Sequence, residues 1–318
     1  MAGAPRRTSD KTSANAITAD LVAVLVAVSD GEPKIMTIAN DGALPSGPFE
    51  FAHRSLQTGL RAWVEAQTGH PLGYVEQLYT FADRGRAGDT KSPHSISISY
   101  LGLTREDKVG AGFEAHWSGW YDYFPWEDHR GGPPAFVAAQ LAPRLDAWAL
   151  GAATPMLREE RRRRVALTFG LDGREWNEEL VLQRYELLYE AGLTPESRRG
   201  HAEPAAPAPG RPMLADHRRI LATGIARLRA KIKYRPVVFE LMPATFTLLQ
   251  LQRSVEALAG QRLHKPNFRR LIEQQDLVEE TGETTSETIG RPAKLFRFRH
   301  AVLAERAVAG TKLPLARA

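Results

Sequence analysis

Apolar positions along the chain recur with two periods, and the switches between them mark the expected elements. Ile17 to Val28 and Lys34 to Ala39 are β-branched, apolar runs separated by Ser29-Asp30-Gly31-Glu32-Pro33, which predicts two strands and a turn. Ser95 to Leu103 alternates, with Ile96, Ile98 and Tyr100 on one side, as a strand does. Within Ser55 to Gln67, Leu56, Leu60, Trp63 and Val64 fall at helical spacing, and Gly69 after Thr68 suits the left-handed cap that ends a helix. Gly73 to Phe81 returns to a strand, giving a strand-helix-strand order with mixed pairing. Helices are expected over Ala135 to Leu150 and Asn177 to Ala191. The run Arg161-Arg162-Arg163-Arg164 beside Glu159 and Glu160 reads as a solvated helix face.

The last third of the chain has a different rhythm. Asp216 to Lys233 places Ile220, Ile225, Leu228 and Ile232 on one face and basic residues opposite. Thr247 is the expected N-cap of a helix over Leu248 to Ala259, closed by Gly260. Pro266 favours the start of a third helix, with Phe268, Leu271 and Ile272 inward and Asn267, Arg269 and Arg270 outward. Leu277 to Thr281, a turn at Gly282, and Ala293 to Phe298 then predict a two-stranded ribbon with Arg291 and Lys294 near its tip. Three helices and a basic ribbon are the pattern of a winged helix-turn-helix. Such a domain lays its last helix in the major groove and its wing on the backbone, so Lys265, Asn267, Arg269 and Arg270 are suited to base edges. Arg218, Arg291 and Lys294 fit phosphates, and Thr247 and Gln250 complete the expected DNA-contacting set. The competing reading is a protein-binding winged helix whose basic face is merely solvated.

Composition and charge refine this picture. A length of 318 residues exceeds what one core usually fills, and 43% apolar with 25% charged residues is a globular balance. The expected division is a disordered tail over 1–16, a first domain over 17–196, a Pro-rich linker over 197–215, a second domain over 216–306 and a tail over 307–318. The linker is placed by Pro204, Pro207, Pro209 and Pro212, alternating with Ala and Gly. The absence of cysteine excludes disulfides, thiolate zinc sites and a cysteine nucleophile. The longest apolar run, Leu21 to Val28, has 8 residues against the roughly 20 of a membrane span, so a cytoplasmic protein with no membrane partner is expected. From Asp216 to Arg306 there are 17 basic and 10 acidic residues, a net of +7, leaving −2 for the rest of a chain that totals +5. The basic excess lies in the second domain and points to an anionic partner.

Leu44-Pro45-Ser46-Gly47-Pro48-Phe49-Glu50, followed by the helix carrying Arg61 and Glu65 and by Thr68-Gly69, resembles the Nudix box. That loop-helix-loop holds divalent cations with several glutamates and cleaves nucleoside diphosphates linked to another moiety. Here Gly47, Glu50, Arg61 and Glu65 match. His53 stands where the family opens the helix with glutamate, Ala62 and Ala66 replace two further glutamates, and one extra residue precedes Gly69. A single helix carboxylate does not build the usual metal cluster, so the resemblance implies a binding pocket without catalytic or metal-ligating residues. The strand end Gln77 to Arg84 also resembles the family. Tyr79, Phe81, Trp117 and Tyr121 are then candidates to stack on a nucleotide ring, Arg61 and Arg84 to meet a pyrophosphate, and Glu50, His53 and Glu65 to line the effector site.

In the second domain, Leu228-Arg229-Ala230-Lys231, Tyr234-Arg235-Pro236-Val237, Leu241-Met242-Pro243, Phe246 to Gln252, Lys265 to Arg270, Arg291-Pro292-Ala293 and Leu295-Phe296 carry a second resemblance. Together with the degenerate box they resemble the Nudix-related transcriptional regulators of NAD metabolism, the NrtR and NadQ groups, and the Leu-Pro-Ser-Gly loop is closer to NadQ. The resemblance implies an α+β chain: an N-terminal Nudix-like α/β/α sandwich with a mixed sheet, then a winged helix. It further implies a homodimeric repressor of NAD-biosynthesis or salvage genes on a palindromic double-stranded operator. Its regulatory ligand would be NAD(H), ATP or ADP-ribose, with no cofactor required. The alternative is an active Nudix pyrophosphohydrolase of ADP-ribose or NADH type with an accessory nucleic-acid-binding domain, and a third reading is a scaffold that binds neither.

Overall fold

A computed structural model of the chain describes residues 17–82, 95–106, 112–198, 207–285 and 292–301. The longest apolar stretch forms its centre. β1 (Thr18–Ser29) pairs in parallel with β5 (Ser95–Leu103) and antiparallel with β2 (Glu32–Thr37) and with the short β3 (Ser46–Pro48). β4 (Tyr74–Phe81) and β6 (His116–Gly119) complete a mixed sheet of order β4-β5-β1-β2-β6, with β3 off this path. Because β1 is buried on both faces, it carries no polar alternation, as expected of a central strand. Its side chains divide by parity instead. Leu21, Ala23 and Leu25 face α1 (Leu56–Thr68), while Val22, Val24 and Val26 belong to a larger core on the opposite side.

The local signals behave as their chemistry requires. Ser55 caps α1 by accepting from the Thr58 N–H, and Gly69 ends it at φ 65°. The helix expected over Ala135 to Leu150 forms, with one irregularity: a π turn over Val137–Leu141 precedes α3 (Ala142–Leu150). Pro143 has no N–H to give and clashes with the carbonyl one turn back, so the ladder shifts register there. The Arg161–Arg164 run lies on α4 (Pro155–Phe169) and is a fastening rather than a bare solvated face. Arg161 sits over the Trp148 ring at 4.2 Å, Arg162 pairs with Asp146, and Arg164 pairs with Glu190 at the end of α5 (Val181–Glu190).

The second α-helical layer comes from an unexpected part of the chain. α6 (His217–Ile232), expected to open a separate domain, packs on α5 and on the sheet. Gly224 makes this possible, since a Cβ built there would lie 2.9 Å from Val24 of β1. The expected extended linker is likewise corrected over its described part. Ala208 and Met213 are buried, and the N–H groups of Ala208, Arg211 and Leu214 donate to the carbonyls of Leu193, Asp122 and Gly42. Apolar side chains at proline-rich positions found a groove to fill, which outweighs the preference of such sequence for open extension.

α7 (Leu248–Ala259) and α8 (Lys265–Gln274) form the helix-turn-helix, and β7 (Val278–Thr285) with β8 (Ala293–Phe298) forms the wing. Gly282 is not the turn. It sits at φ 83° inside β7, where the register shifts between Glu280 and Thr284. The wing is tied back by Phe246, which exchanges both backbone hydrogen bonds with Phe296. Among the described residues no helix is long and apolar enough to cross a membrane.

The Gly224 contact sets two effects against each other. Alanine gains about 1 kcal/mol of helix propensity over glycine, whereas overpacking a fixed core costs about 1–3 kcal/mol. Val24 is fully buried in the central strand and has nowhere to go. Gly224→Ala is therefore expected to lower stability in urea denaturation, and a rise would show that α6 is free to shift on the sheet.

Candidate functional site

The exposed face of α8 is where the sequence placed the reading side chains. His264 stands at the N-cap and Pro266 in the first turn, and only Phe268 and Ile272 are buried. Lys265, Asn267, Arg269 and Arg270 are exposed, and none forms an ion pair with a described residue. The turn that aims this helix is held by Glu256 of α7. Its carboxylate accepts from Gln252 Nε2 at 2.8 Å, from the Leu263 N–H at 3.0 Å and from Arg262 Nη1 at 3.0 Å. Burial alone would raise the Glu256 pKa, but these donors hold it below the usual carboxylate range.

Other expected DNA contacts are engaged elsewhere. Thr247 is buried and its hydroxyl accepts from the Gln250 N–H, while Gln250 Oε1 accepts from the Thr247 N–H. The two oxygens close a capping box, so Thr247 is a structural residue and not a free contact. Lys294 on β8 is exposed but paired to both oxygens of Glu280, and Arg297 to Glu279, so the wing is largely charge-compensated. Arg291 lies outside the described residues. Arg218 must be corrected: it is fully buried, 3.4 Å from Glu196, donates to the Tyr123 carbonyl, and lies over the rings of Phe124, Trp126 and Tyr185. This arginine in the first turn of a basic-looking helix is enclosed by an aromatic wall, out of reach of a phosphate.

In the Nudix-like domain the box residues form two groups. Glu50 and His53 share a tight turn, in which the Glu50 N–H donates to His53 Nδ1 at 3.0 Å. The His53 ring stacks on Phe49 at 5.9 Å and meets Trp63 edge-on. Trp63 lies so close over Gly47 that a Cβ there would fall 2.3 Å from its ring, and its indole N–H donates to the Pro48 carbonyl. Glu65 is exposed on α1. Arg61 instead donates to the carbonyls of Leu72 and Gly73, so it holds the turn after α1 rather than offering an open fork to a pyrophosphate. Phe81 is also corrected: it is buried under the Arg219 guanidinium at 4.7 Å. Tyr79 is exposed, Trp117 is half-buried and edge-on to His70, and Arg84 lies outside the described residues. Tyr121 is engaged within the fold: its hydroxyl donates to the Ala257 carbonyl of α7, and the Arg130 guanidinium lies over its ring at 5.0 Å. Among the described residues no three His, Asp or Glu side chains gather as metal ligands would.

Between these two surfaces lies a cluster that the sequence reading did not single out. Glu127 ends the aromatic stretch Trp120 to Trp126 and is fully buried between two equally buried arginines. Arg184 of α5 meets it through Nε at 2.5 Å and Nη2 at 2.9 Å, and Arg229 of α6 through Nη1 at 2.6 Å. Most of the remaining guanidinium N–H groups are used as well. Arg184 donates to the Thr168 and Asn177 carbonyls, and Arg229 to those of Leu258, Glu178 and Glu127 itself. Gly260 closes α7 against this group at φ 74°, where a Cβ would lie 2.4 Å from the Glu127 carbonyl oxygen. The available signal was an acid placed at the end of a bulky aromatic run, which cannot be buried without cations.

Burial alone would raise the Glu127 pKa, but Arg184 and Arg229 more than offset it and hold the carboxyl below the usual glutamate range. A carboxylate with a depressed folded pKa contributes stability that is complete above its unfolded pKa of about 4.3 and is lost as the pH falls through the folded value. Glu127→Gln leaves two buried guanidiniums undercompensated, which costs about 3–5 kcal/mol. Urea denaturation at pH 7 should show that loss. The remaining stability of the variant should fall less steeply below pH 4.3 than that of the parent, and an equally steep acid limb would remove Glu127 as its source.

Comparison with known proteins agrees with this build. Residues 238–298 match the NrtR DNA-binding winged helix domain. A curated relative, the ADPR responsive transcriptional repressor NtrR of Acinetobacter baylyi, is 42% identical over 84 residues, which are 26% of this chain and 33% of the relative. The chain thus spans about a third of the length of that relative. The crystal structure of Shewanella oneidensis NrtR complexed with a 27mer DNA is similar, with a TM-score of 0.54 at 18% identity over 90% of this chain and 95% of that one. A MutT/nudix family protein from Enterococcus faecalis has a TM-score of 0.51 at 16% identity, covering 90% of this chain and 87% of its own. The fold is thus shared with that NrtR structure: a Nudix-like domain with a mixed sheet followed, over 238–298, by an NrtR-type winged helix.

Proposed function

We propose that the protein is a DNA-binding transcriptional repressor whose operator affinity is set by a nucleotide held in the degenerate Nudix-like domain. The observation that carries this reading is the row Lys265, Asn267, Arg269 and Arg270, exposed and without ion-pair partners among the described residues, on the second helix of an NrtR-type helix-turn-helix. Arginine and lysine are built for guanine and asparagine for adenine, and the start of this helix is the part that enters a major groove. The relative described as ADPR responsive supports ADP-ribose as the effector class, ahead of NAD(H) or ATP. Glu50, His53, Glu65, Tyr79 and Trp117 are proposed to face it. A homodimer would set two such helices about 34 Å apart on a palindromic operator, and the buried joint at Glu127 would carry any movement between sensor and reader.

Selection of bound duplexes from a random library, followed by fluorescence anisotropy, tests the DNA reading. Binding should weaken steeply with salt, and Arg269→Ala should lose about 1–3 kcal/mol on the selected sequence while relaxing base preference at one position. The same loss on every sequence would move base reading away from this helix.

The sensor is proposed to bind without hydrolysing. Helix α1 offers Glu65 as its only carboxylate, with Ala62 and Ala66 in place of partners. With magnesium, ADP-ribose and NADH should yield no AMP while ADP-ribose raises the melting temperature. Release of AMP that Glu65→Gln abolishes would instead establish the hydrolase.

A further inference from the structure

A cleft of about 610 Å³ opens between the C-terminal end of α6, the short 3-10 turn that follows it, and the two helices of the helix-turn-helix. None of the residues proposed above for DNA or nucleotide lines it. Its walls include Val238, Leu251, Val255 and the recognition-helix residues Phe268, Leu271 and Ile272. Leu271 is left 50% exposed and Tyr234, at the mouth, 62% exposed, so folding alone does not cover this surface.

The charge at the mouth is uneven. Lys231 is paired with Glu76, and Lys233 with Glu178 and Glu179. Arg235, which lines the same cleft, is exposed and has no ion-pair partner among the described residues. A concave apolar space within the usual range of small-molecule sites, about 300–1,000 Å³, thus carries one guanidinium that no described carboxylate pairs with directly. Apolar walls favour an apolar body, and a guanidinium without a carboxylate favours one anionic end.

We propose that this cleft is a ligand site, separate from the nucleotide site, for an apolar monoanion such as a medium-chain or aromatic carboxylate. The two buried side chains that seat α8, Phe268 and Ile272, form one wall, and Arg229 of the Glu127 cluster forms part of the lining. An occupant therefore touches the seat of the recognition helix and the joint to the sensor at once.

Titration of the full chain with 8-anilinonaphthalene-1-sulfonate, followed by its fluorescence, tests the site independently of the DNA and nucleotide readings. The expected result is saturable binding of one probe per chain, displaced by decanoate, displaced far less by decanol, and not displaced by ADP-ribose. Arg235→Ala should weaken the probe about tenfold at an unchanged melting temperature, since a hydrogen-bonded charge contributes on that scale. Val255→Trp fills the cleft and should abolish binding. If that variant unfolds, Arg235→Ala still decides. Equal affinity in Arg235→Ala and the parent, displacement by ADP-ribose, or decanol matching decanoate would each overturn the proposal. So would a shift to monomer in Val255→Trp by gel filtration, because the cleft would then be covered by a second copy.

Discussion

Glu127 sits at the junction of three parts of the chain that are far apart in sequence, and its burial constrains all of them. A carboxylate in that place is tolerable only if cations arrive with it, and they arrive on different helices, Arg184 from α5 and Arg229 from α6. Neither helix can withdraw without leaving a charge uncompensated in a low-dielectric interior. Arg229 then reaches the Leu258 carbonyl near the end of α7, and Gly260 lets the helix end close against the Glu127 backbone. The position of the helix-turn-helix relative to the sheet follows from this set of contacts more than from the peptide linkage between them.

This joint also changes how the charge distribution is understood. The split into −2 and +7 suggested a basic reader attached to a near-neutral sensor, with the excess directed outward. In the folded chain, Arg218, Arg219, Arg229, Lys231 and Lys233 all pair with glutamates of the N-terminal part, namely Glu196, Glu186, Glu127, Glu76 and the Glu178–Glu179 pair. Five of the basic residues of α6 and its end thus hold the molecule together. On α8, by contrast, Lys265, Asn267, Arg269 and Arg270 are exposed and pair with no described residue.

Much of the architecture was legible in the sequence because it rests on local rules. Ser55, Gly69, Thr247, Gly260 and Pro266 mark helix ends through their own backbone and side-chain chemistry, and each lies at or within a residue of such an end in the structure. Two of the errors share a cause, which is that burial depends on distant partners. Arg218 and Phe81 look available along their own segments and are covered by residues more than ninety positions away, Tyr123 to Trp126 in one case and Arg219 in the other. Arg61 matches a box position yet is drawn to the carbonyls of its own loop. The π turn before α3 had its cause in plain view at Pro143, and Gly282 was read as a turn because a bulge glycine and a turn glycine carry the same local signature.

The larger hydrophobic core runs without interruption from Val22 and Val24 in the sheet, through Ile220, Leu221 and Leu228 of α6, to Leu251, Phe268 and Ile272 of the helix-turn-helix. Two functional surfaces that share one core are expected to melt together as one cooperative unit rather than as two modules. Whatever binds the folded sensor stabilises by RT ln(1 + [L]/Kd), and in a single unit that free energy reaches the recognition helix undivided. Under the proposed function, an effector need not move a hinge in order to be felt at the DNA. It needs only to change how often the seat of α8 opens.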